Sequence, residues 1–471
     1  MYSKVFTNRT LNLRKIKYIG LDMDHTLVQY NTKEFEMLSH NCMKEKLVAR
    51  GYPEIIKELP FDFDQAIRGL VVDASRGNLL KLSRHGAIRA SRHGTKRMDF
   101  QTQRKVYTGT YVDLNDPNFS AVDTAFSISV AILYMQLVDY KEANPDLHFP
   151  EFKAMYDDVV DVLDESHRDG SIKNVVAQNL EKFIIKNEKL VQGLERFIKH
   201  DKKIFIVTNS DFHYTKLLLD HAVDPFLKDH KSWMDLFFVV ITLAQKPRFF
   251  FDNLRFLKID PKDGSMTNME EKLVDGIYQG GCADIFEADF GVAGDDILYV
   301  GDHIYGDIVR LKKDCKWRTA LVLEELGDEI DKMEQVKPIQ DNIRDLMDQK
   351  EPLEHKLVDK ISERIEKKVT EDDKGVDELQ EQINDLDKQI SPLIKQQASI
   401  FNSHWGEVMR AGNEESYFAH QVDRFADIYM PNLADLFSIS PRTYFRARRR
   451  PLAHELAMHV VLDEDNSTIT D

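Results

Sequence analysis

The chain has only three cysteines in 471 residues, Cys42, Cys282 and Cys315. They are odd in number, widely spaced and in no metal-ligand pattern, so a disulfide framework and a structural zinc are both excluded and a reduced, cytoplasmic protein is expected. Long apolar runs are missing too. No segment is continuously apolar over the roughly 18 residues that a membrane helix needs. The longest candidate, 125–138, is interrupted by Ser127, Ser129 and Gln136 and reads as a buried helix. The opening MYSKVFTNRTLNLRK lacks the apolar core of a signal peptide. With 21 glycines and 14 prolines, the chain is neither collagen-like nor of low complexity. Basic residues are the minority, 64 Lys and Arg against 80 Asp and Glu, and the net charge of -16 opposes general attraction to nucleic acid or anionic lipid. An anionic substrate must therefore be met by local groups. What remains, 42% hydrophobic and 10% aromatic residues, suits a globular protein of several domains.

Three short apolar runs stand out. Residues 16–21 end at Asp22-Met23-Asp24, 204–207 end at Thr208-Asn209-Ser210, and 297–300 end at Gly301-Asp302. Each is followed by helix-like sequence, which predicts a parallel, doubly wound α/β sheet with polar residues gathered at the carboxyl ends of its strands, where such sheets bind ligands. Roughly 180 residues separate the first two runs, far more than the roughly 30 of a crossover unit, so a cap domain is expected between them. Within it, 69–73 and 77–82 read as strands, and Ser83-Arg84-His85-Gly86 as a hairpin turn. The same tetrapeptide at Ser91 to Gly94 reads as a similar turn with solvated His and Arg.

Farther on, Val376, Leu379, Ile383, Leu386, Ile390 and Leu393 recur three and four residues apart, as do Leu353, Leu357, Ile361 and Ile365. Two packed helices are expected, turning at Asp373-Lys374-Gly375, with Pro392 kinking or restarting the second. The basic run Arg442, Arg446, Arg448, Arg449 and Arg450 reads as a subunit contact or solvated face rather than a polyanion site.

Asp22 and Asp24 lie at a strand end with one residue between them, so both face one side. Paired carboxylates suit magnesium-assisted phosphoryl transfer, one attacking phosphorus and the other moving the proton of the leaving alcohol and of water. Alone, the pattern could equally cap a helix. The other required parts follow in order, however. Thr208 offers a hydroxyl beside a helix N-terminus, Lys246 a fixed charge, and Asp302 with Asp307 hard oxygen ligands for Mg2+. Each also has a plainer reading, as a capping Thr, a surface Lys or acidic residues at a helix start.

At these residues the sequence resembles the haloacid-dehalogenase superfamily, whose four motifs match DMDHT at 22–26, TNS at 208–210, Lys246, and GDHIYGD at 301–307. The blocks GLDMDHTLVQY, RGLVVD with GNLLK, FIVTNSDFHYT, KPRFFF, ILYVGDHIYGDI and FAHQVDRFADIY further resemble the cytosolic purine 5'-nucleotidase family. The resemblance implies a Rossmann-like core with a large inserted cap and a helical hairpin, divided as core at 1–34, cap at 35–178, core at 179–335, hairpin at 336–400, a C-terminal helical part of the core at 401–456 and a polar tail at 457–471.

It further implies Asp22 as nucleophile and Asp24 as acid/base and backbone metal ligand. Asp302 completes the metal's carboxylates, with Asp307 supporting them. Thr208, Asn209 and Lys246 would hold phosphate, and Asp164, His167 and Lys173 would select the purine nucleotide. The resemblance places Val160 where relatives carry an arginine, and His25, next to the acid/base, where they often carry an aromatic phenol. Tyr305 and Lys313 resemble part of a nucleotide effector site. The reading is thus a Mg2+-dependent 5'-nucleotidase, preferring inosine and guanosine monophosphates, with phosphotransfer to another nucleoside as an added capacity and a homo-oligomer expected. Another small phosphate ester as substrate, or a catalytically silent nucleotide-binding scaffold, are the alternatives. Dehalogenation is disfavoured because it leaves Asp24 without a task.

Overall fold

The computed structural model describes residues 4–269, 271–367, 374–450, 452, 454 and 455. Its centre is a ten-stranded sheet in the order Phe6–Thr7, Ile428–Met430, Arg318–Val322, Ile297–Gly301, Tyr18–Leu21, Lys203–Val207, Val239–Thr242, Gly276–Gly280, Phe256–Ile259 and Met266–Asn268. The seven strands from Ile428–Met430 to Gly276–Gly280 are parallel; the outer strands on both sides pair antiparallel. Helices cover both faces, so these strands read as continuous apolar runs instead of alternating ones. Ile204 and Ile206 enter one hydrophobic layer, Phe205 and Val207 the other, as successive side chains of a strand must. Gly20 is required by close approach: a Cβ there would stand 2.5 Å from the Phe205 ring.

Tyr18–Leu21 is the topological switch. From it the chain builds outward through Lys203–Val207 in one direction and, later, through Ile297–Gly301 in the other. Its flanking strands are in register, with Leu21 beside both Ile206 and Val300, and all three polar tips therefore reach the same crevice. The three runs singled out in the sequence form these three strands.

The insertion between the first two carries a five-stranded antiparallel sheet, Lys96–Arg97, Ile88–His93, Asn78–Leu82, Leu70–Asp73 and Phe119–Ala121. Helices Thr32–Ala49, Ile128–Ala143 and Phe152–Arg168 pack with one another beside it. The expected buried helix is Ile128–Ala143, every residue of which is buried from Ile128 to Val138. The turn at 83–86 forms as expected, closed by the Gly86 N–H donating to the Ser83 carbonyl. The second tetrapeptide does not repeat it. Ser91, Arg92 and His93 belong to strand Ile88–His93, and only Gly94 sits in the turn. Nor are its side chains merely solvated: His93 bonds Asn78 and Glu142, and Arg92 lies over the Trp405 ring.

Two helices, Glu325–Glu366 and Lys374–Ile400, form the hairpin, with Ile383 and Ile390 buried between them. The first begins at Glu325, so the expected division between 335 and 336 falls inside a helix. The second runs through Pro392 without restarting. Packing against its neighbour outweighs the one backbone bond that proline removes. Asp373 lies outside the described residues, and Lys374 and Gly375 are already helical.

Near the C-terminus, the region expected to be helical also supplies the strand Ile428–Met430, which pairs with Arg318–Val322. Arg449 and Arg450 pair with Glu455 and Asp423, and Arg446 lies over the Tyr444 ring. The tail at 457–471 lies outside the described residues. Among the described residues no helix is long and apolar enough to cross a membrane, and all three cysteines are free thiols.

Candidate active site

The crevice at the end of Tyr18–Leu21 gathers Asp22, Asp302 and Asp307, each buried, with carboxylate oxygens within 4.8 Å of one another. Asp22 follows its strand directly, and its N–H donates to the Val300 carbonyl of the neighbouring strand at 2.8 Å. Asp307 reaches the cluster by folding back over Gly301. A Cβ at Gly301 would stand 2.4 Å from the Asp307 carboxylate, so only glycine admits this approach. The Asp307 carboxylate also accepts from the His303 N–H at 3.3 Å.

Lys246 is no surface lysine. Its side chain is 5% exposed, and Nζ lies 2.7 Å from Asp22 Oδ1 and 2.8 Å from Asp307 Oδ1. It also donates to the Tyr299 hydroxyl at 3.1 Å. Burial opposes its charge, yet the Asp22 and Asp307 carboxylates hold it well above the ordinary ammonium range. Asn209 anchors the lysine's backbone on both sides, donating from Nδ2 to the Lys246 carbonyl at 3.1 Å and accepting from its N–H at 2.6 Å. Thr208 is fully buried at the end of its strand, where its hydroxyl accepts from the Ser210 N–H.

Three carboxylates against one ammonium leave the pocket short of positive charge. Burial pushes Asp22 well above the usual carboxylate range, with the Lys246 ammonium working the other way. Burial likewise raises Asp302 to about 6, against the opposing pull of Arg68. Asp302 Oδ2 is buried with no hydrogen-bond partner. An orphaned hard oxygen beside two more carboxylates is a donor set that fits Mg2+, whose charge would compensate both the burial and the repulsion.

Asp24 stands apart from this trio. Its Oδ1 accepts from the Tyr30 hydroxyl at 2.6 Å and its Oδ2 from the Ser210 hydroxyl at 2.9 Å. The Tyr30 and Tyr214 hydroxyls are themselves 3.1 Å apart. One carboxylate therefore faces a cation and the other a pair of hydroxyl donors, a division suited to two different tasks. Two of these donors escaped the sequence reading as site residues, although Tyr30 and Ser210 lie inside the quoted motif blocks. Tyr299 escaped too, hidden within a strand.

Of the residues expected to select the nucleotide, His167 is near enough to Asp24 to feel its charge. His167 lies on helix Phe152–Arg168, 5.7 Å from the Phe126 ring and 6.4 Å from that of Phe35. Burial lowers its pKa, Lys173 lowers it further, and Asp24 acts in the opposite sense. Lys173 donates to Asp211 at 3.2 Å and lies over the Tyr214 ring. Asp164 is exposed one turn before His167, and Val160 is half-buried against the core cluster. His25, left-handed at φ 56°, stacks on Tyr30 and meets Phe126 edge-on. Burial, reinforced by Arg68, holds its pKa down to about 3, so the ring is a neutral packing group at ordinary pH. Phe126, absent from the sequence reading, thus joins His167, Phe35 and His25 in an aromatic wall.

Tyr305 shares the segment Ile304–Val309 with Asp307, and Lys313 lies on the helix Arg310–Asp314 that follows. Tyr305 packs with the cluster of Phe418, Val422 and Phe425, and Lys313 sits over the Phe425 ring.

The sequence profile of the 5' nucleotidase family matches residues 5–457. Human 5'-nucleotidase domain-containing protein 2 is 27% identical over 466 residues, covering 96% of this chain and 85% of that protein. The rat protein of the same description is also 27% identical over 466 residues, covering 96% of this chain and 80% of its own length.

Proposed function

Because the chain belongs to the 5' nucleotidase family, we propose that it hydrolyses purine nucleoside 5'-monophosphates through a phosphorylated Asp22. The observation that carries this reading is the buried Asp22, Asp302 and Asp307 cluster bridged by the Lys246 ammonium. Asp22, Asp302 and Asp307, with the Asp24 backbone carbonyl, would hold Mg2+, which when bound neutralises phosphate charge and keeps Asp22 ionised.

Asp22 attacks phosphorus through a carboxylate oxygen, forming an acyl-phosphate as the bond to the nucleoside 5'-oxygen breaks. Lys246, fixed by Asn209, supports the negative charge on the phosphoryl oxygens, assisted by the donors of the 208–210 segment. Asp24 gives its proton to the leaving 5'-oxygen. It then takes a proton from water, which attacks phosphorus and restores the Asp22 carboxylate. The Tyr30 and Ser210 hydroxyls keep Asp24 turned toward that traffic. A second nucleoside hydroxyl entering in place of water gives phosphotransfer.

Phosphate ligands do not distinguish nucleotides, so selectivity belongs to the cap. The aromatic wall of Phe126 and His167 suits a purine ring, with Lys173 and Asp164 as polar partners, and inosine and guanosine monophosphates are the assigned preference. Tyr305 and Lys313 remain the proposed effector position, and a homo-oligomer the proposed assembly. A screen of phosphate release from nucleoside monophosphates and sugar phosphates, with and without Mg2+, tests the function. Equal kcat/KM across purine, pyrimidine and sugar phosphates would remove the nucleotidase assignment; no Mg2+-dependent release from any would remove the phosphatase.

A further inference from the structure

Arg68, whose charge acts on both Asp302 and His25, is itself only 2% exposed. It lies in the cap, just before strand Leu70–Asp73. Its Nη1 donates to the main-chain carbonyl of Asp302 at 2.9 Å, and its Nε donates to Glu325 Oε1 at 2.9 Å. Glu325 is the first residue of the 42-residue helix Glu325–Glu366. One guanidinium therefore joins the cap, the loop that carries the orphaned Asp302 oxygen, and the root of the helical hairpin.

Burying a guanidinium is costly, and its five N–H donors need acceptors beyond one carboxylate. Here one of those further acceptors is the main-chain carbonyl of a candidate metal ligand. Fixing that carbonyl fixes the peptide from which the Asp302 side chain departs, and the planar fork of arginine sets two directions at once where lysine offers a point charge. Groups that orient metal ligands in this way commonly change metal affinity when removed.

We infer that Arg68 is a positioning residue for Asp302, and that Glu325 fixes Arg68, so that the root of the hairpin bears on the metal site. The inference rests on the proposed metal site, and its test is read without turnover. Mn2+ binding to the full chain, followed by electron paramagnetic resonance in the absence of nucleotide, is compared among the unmutated, Arg68→Met, Arg68→Lys, Glu325→Gln and Asp302→Asn proteins. Arg68→Met should bind Mn2+ about 10- to 100-fold more weakly. Arg68→Lys should fall between it and the unmutated protein, and Glu325→Gln should weaken binding less. Combining Glu325→Gln with Arg68→Met should add nothing, since the two act through one path. In turnover, excess Mg2+ should restore kcat to Arg68→Met with KM for the nucleotide little changed, which a general packing defect would not allow.

Unaltered Mn2+ affinity in folded Arg68→Met would overturn the inference, and if that variant does not fold, unaltered affinity in Arg68→Lys would do the same. Equal Mn2+ binding by the unmutated and Asp302→Asn proteins would instead overturn the metal site itself.

Discussion

Replacing Lys246 by methionine keeps most of the side chain's volume and removes only the ammonium. That ammonium is nearly sealed from solvent and lies within 2.8 Å of a carboxylate oxygen on both Asp22 and Asp307. Removing one partner from a buried ion pair costs about 3–5 kcal/mol, because the charges left behind have neither water nor a counterion. In Lys246→Met two carboxylates would face each other across the gap. Asp22, already pushed upward by burial, can take a proton and relieve part of the repulsion, so the lower end of that range is expected in the metal-free protein. Mg2+ should recover much of the loss, since, held by Asp22, Asp302 and Asp307, it would supply positive charge to the same carboxylates. Turnover should not recover: loss of a fixed charge on the transferring phosphate should lower kcat by about 10²–10³-fold even at saturating metal. Urea unfolding in chelator and in Mg2+, together with kcat on the best substrate, checks both halves. Unchanged stability in chelator, or kcat within a few-fold of the unmutated protein, would refute the electrostatic reasoning.

Two further outcomes follow from the same geometry. Tyr30→Phe removes the donor 2.6 Å from Asp24 Oδ1; a hydrogen bond to a charged group is worth about 1.5–3 kcal/mol, and kcat should fall at least several-fold while Mn2+ affinity, set by the other carboxylates, stays the same. Metal-free stability should fall as pH rises through the Asp302 titration. Its carboxyl is raised by burial from 3.8 to about 6, so the folded chain holds a proton that the unfolded chain has released. This contribution, about 3 kcal/mol, is full below the lower value and lost above the higher. Unfolding free energies on either side of that window should fall more steeply with pH in the unmutated protein than in Asp302→Asn, where the other buried carboxyls, Asp22 among them, still titrate.

The strands that carry Asp22, Thr208 and Asp302 were legible because strands buried on both faces are short apolar runs that end abruptly in polar residues. Ile428–Met430 was not legible, because three residues carry no period and its sheet partner is remote in sequence. Lys246 could be named from its motif, but its burial could not: nothing local distinguishes it from a surface lysine until Asn209 and Tyr299 close around it. Arg92 and His93 were misread for the same reason, their partners Trp405 and Glu142 being distant. Pro392 does not restart its helix, whose Ile383 and Ile390 are buried. Phe126 and Arg68 become site residues only through contacts between the insertion and the central sheet, and Tyr30 only once the chain turns its hydroxyl back onto Asp24, none of which a linear pattern encodes.

The central claim is that Asp22 becomes phosphorylated. Rapid-quench labelling with nucleoside monophosphate carrying labelled phosphate tests it most directly. The unmutated protein should incorporate acid-stable, base-labile label that an added nucleoside discharges faster than water alone, and Asp22→Asn should incorporate none, since an amide is a poor nucleophile. Incorporation into Asp22→Asn equal to that of the unmutated protein would contradict the assignment, whatever the steady-state rates.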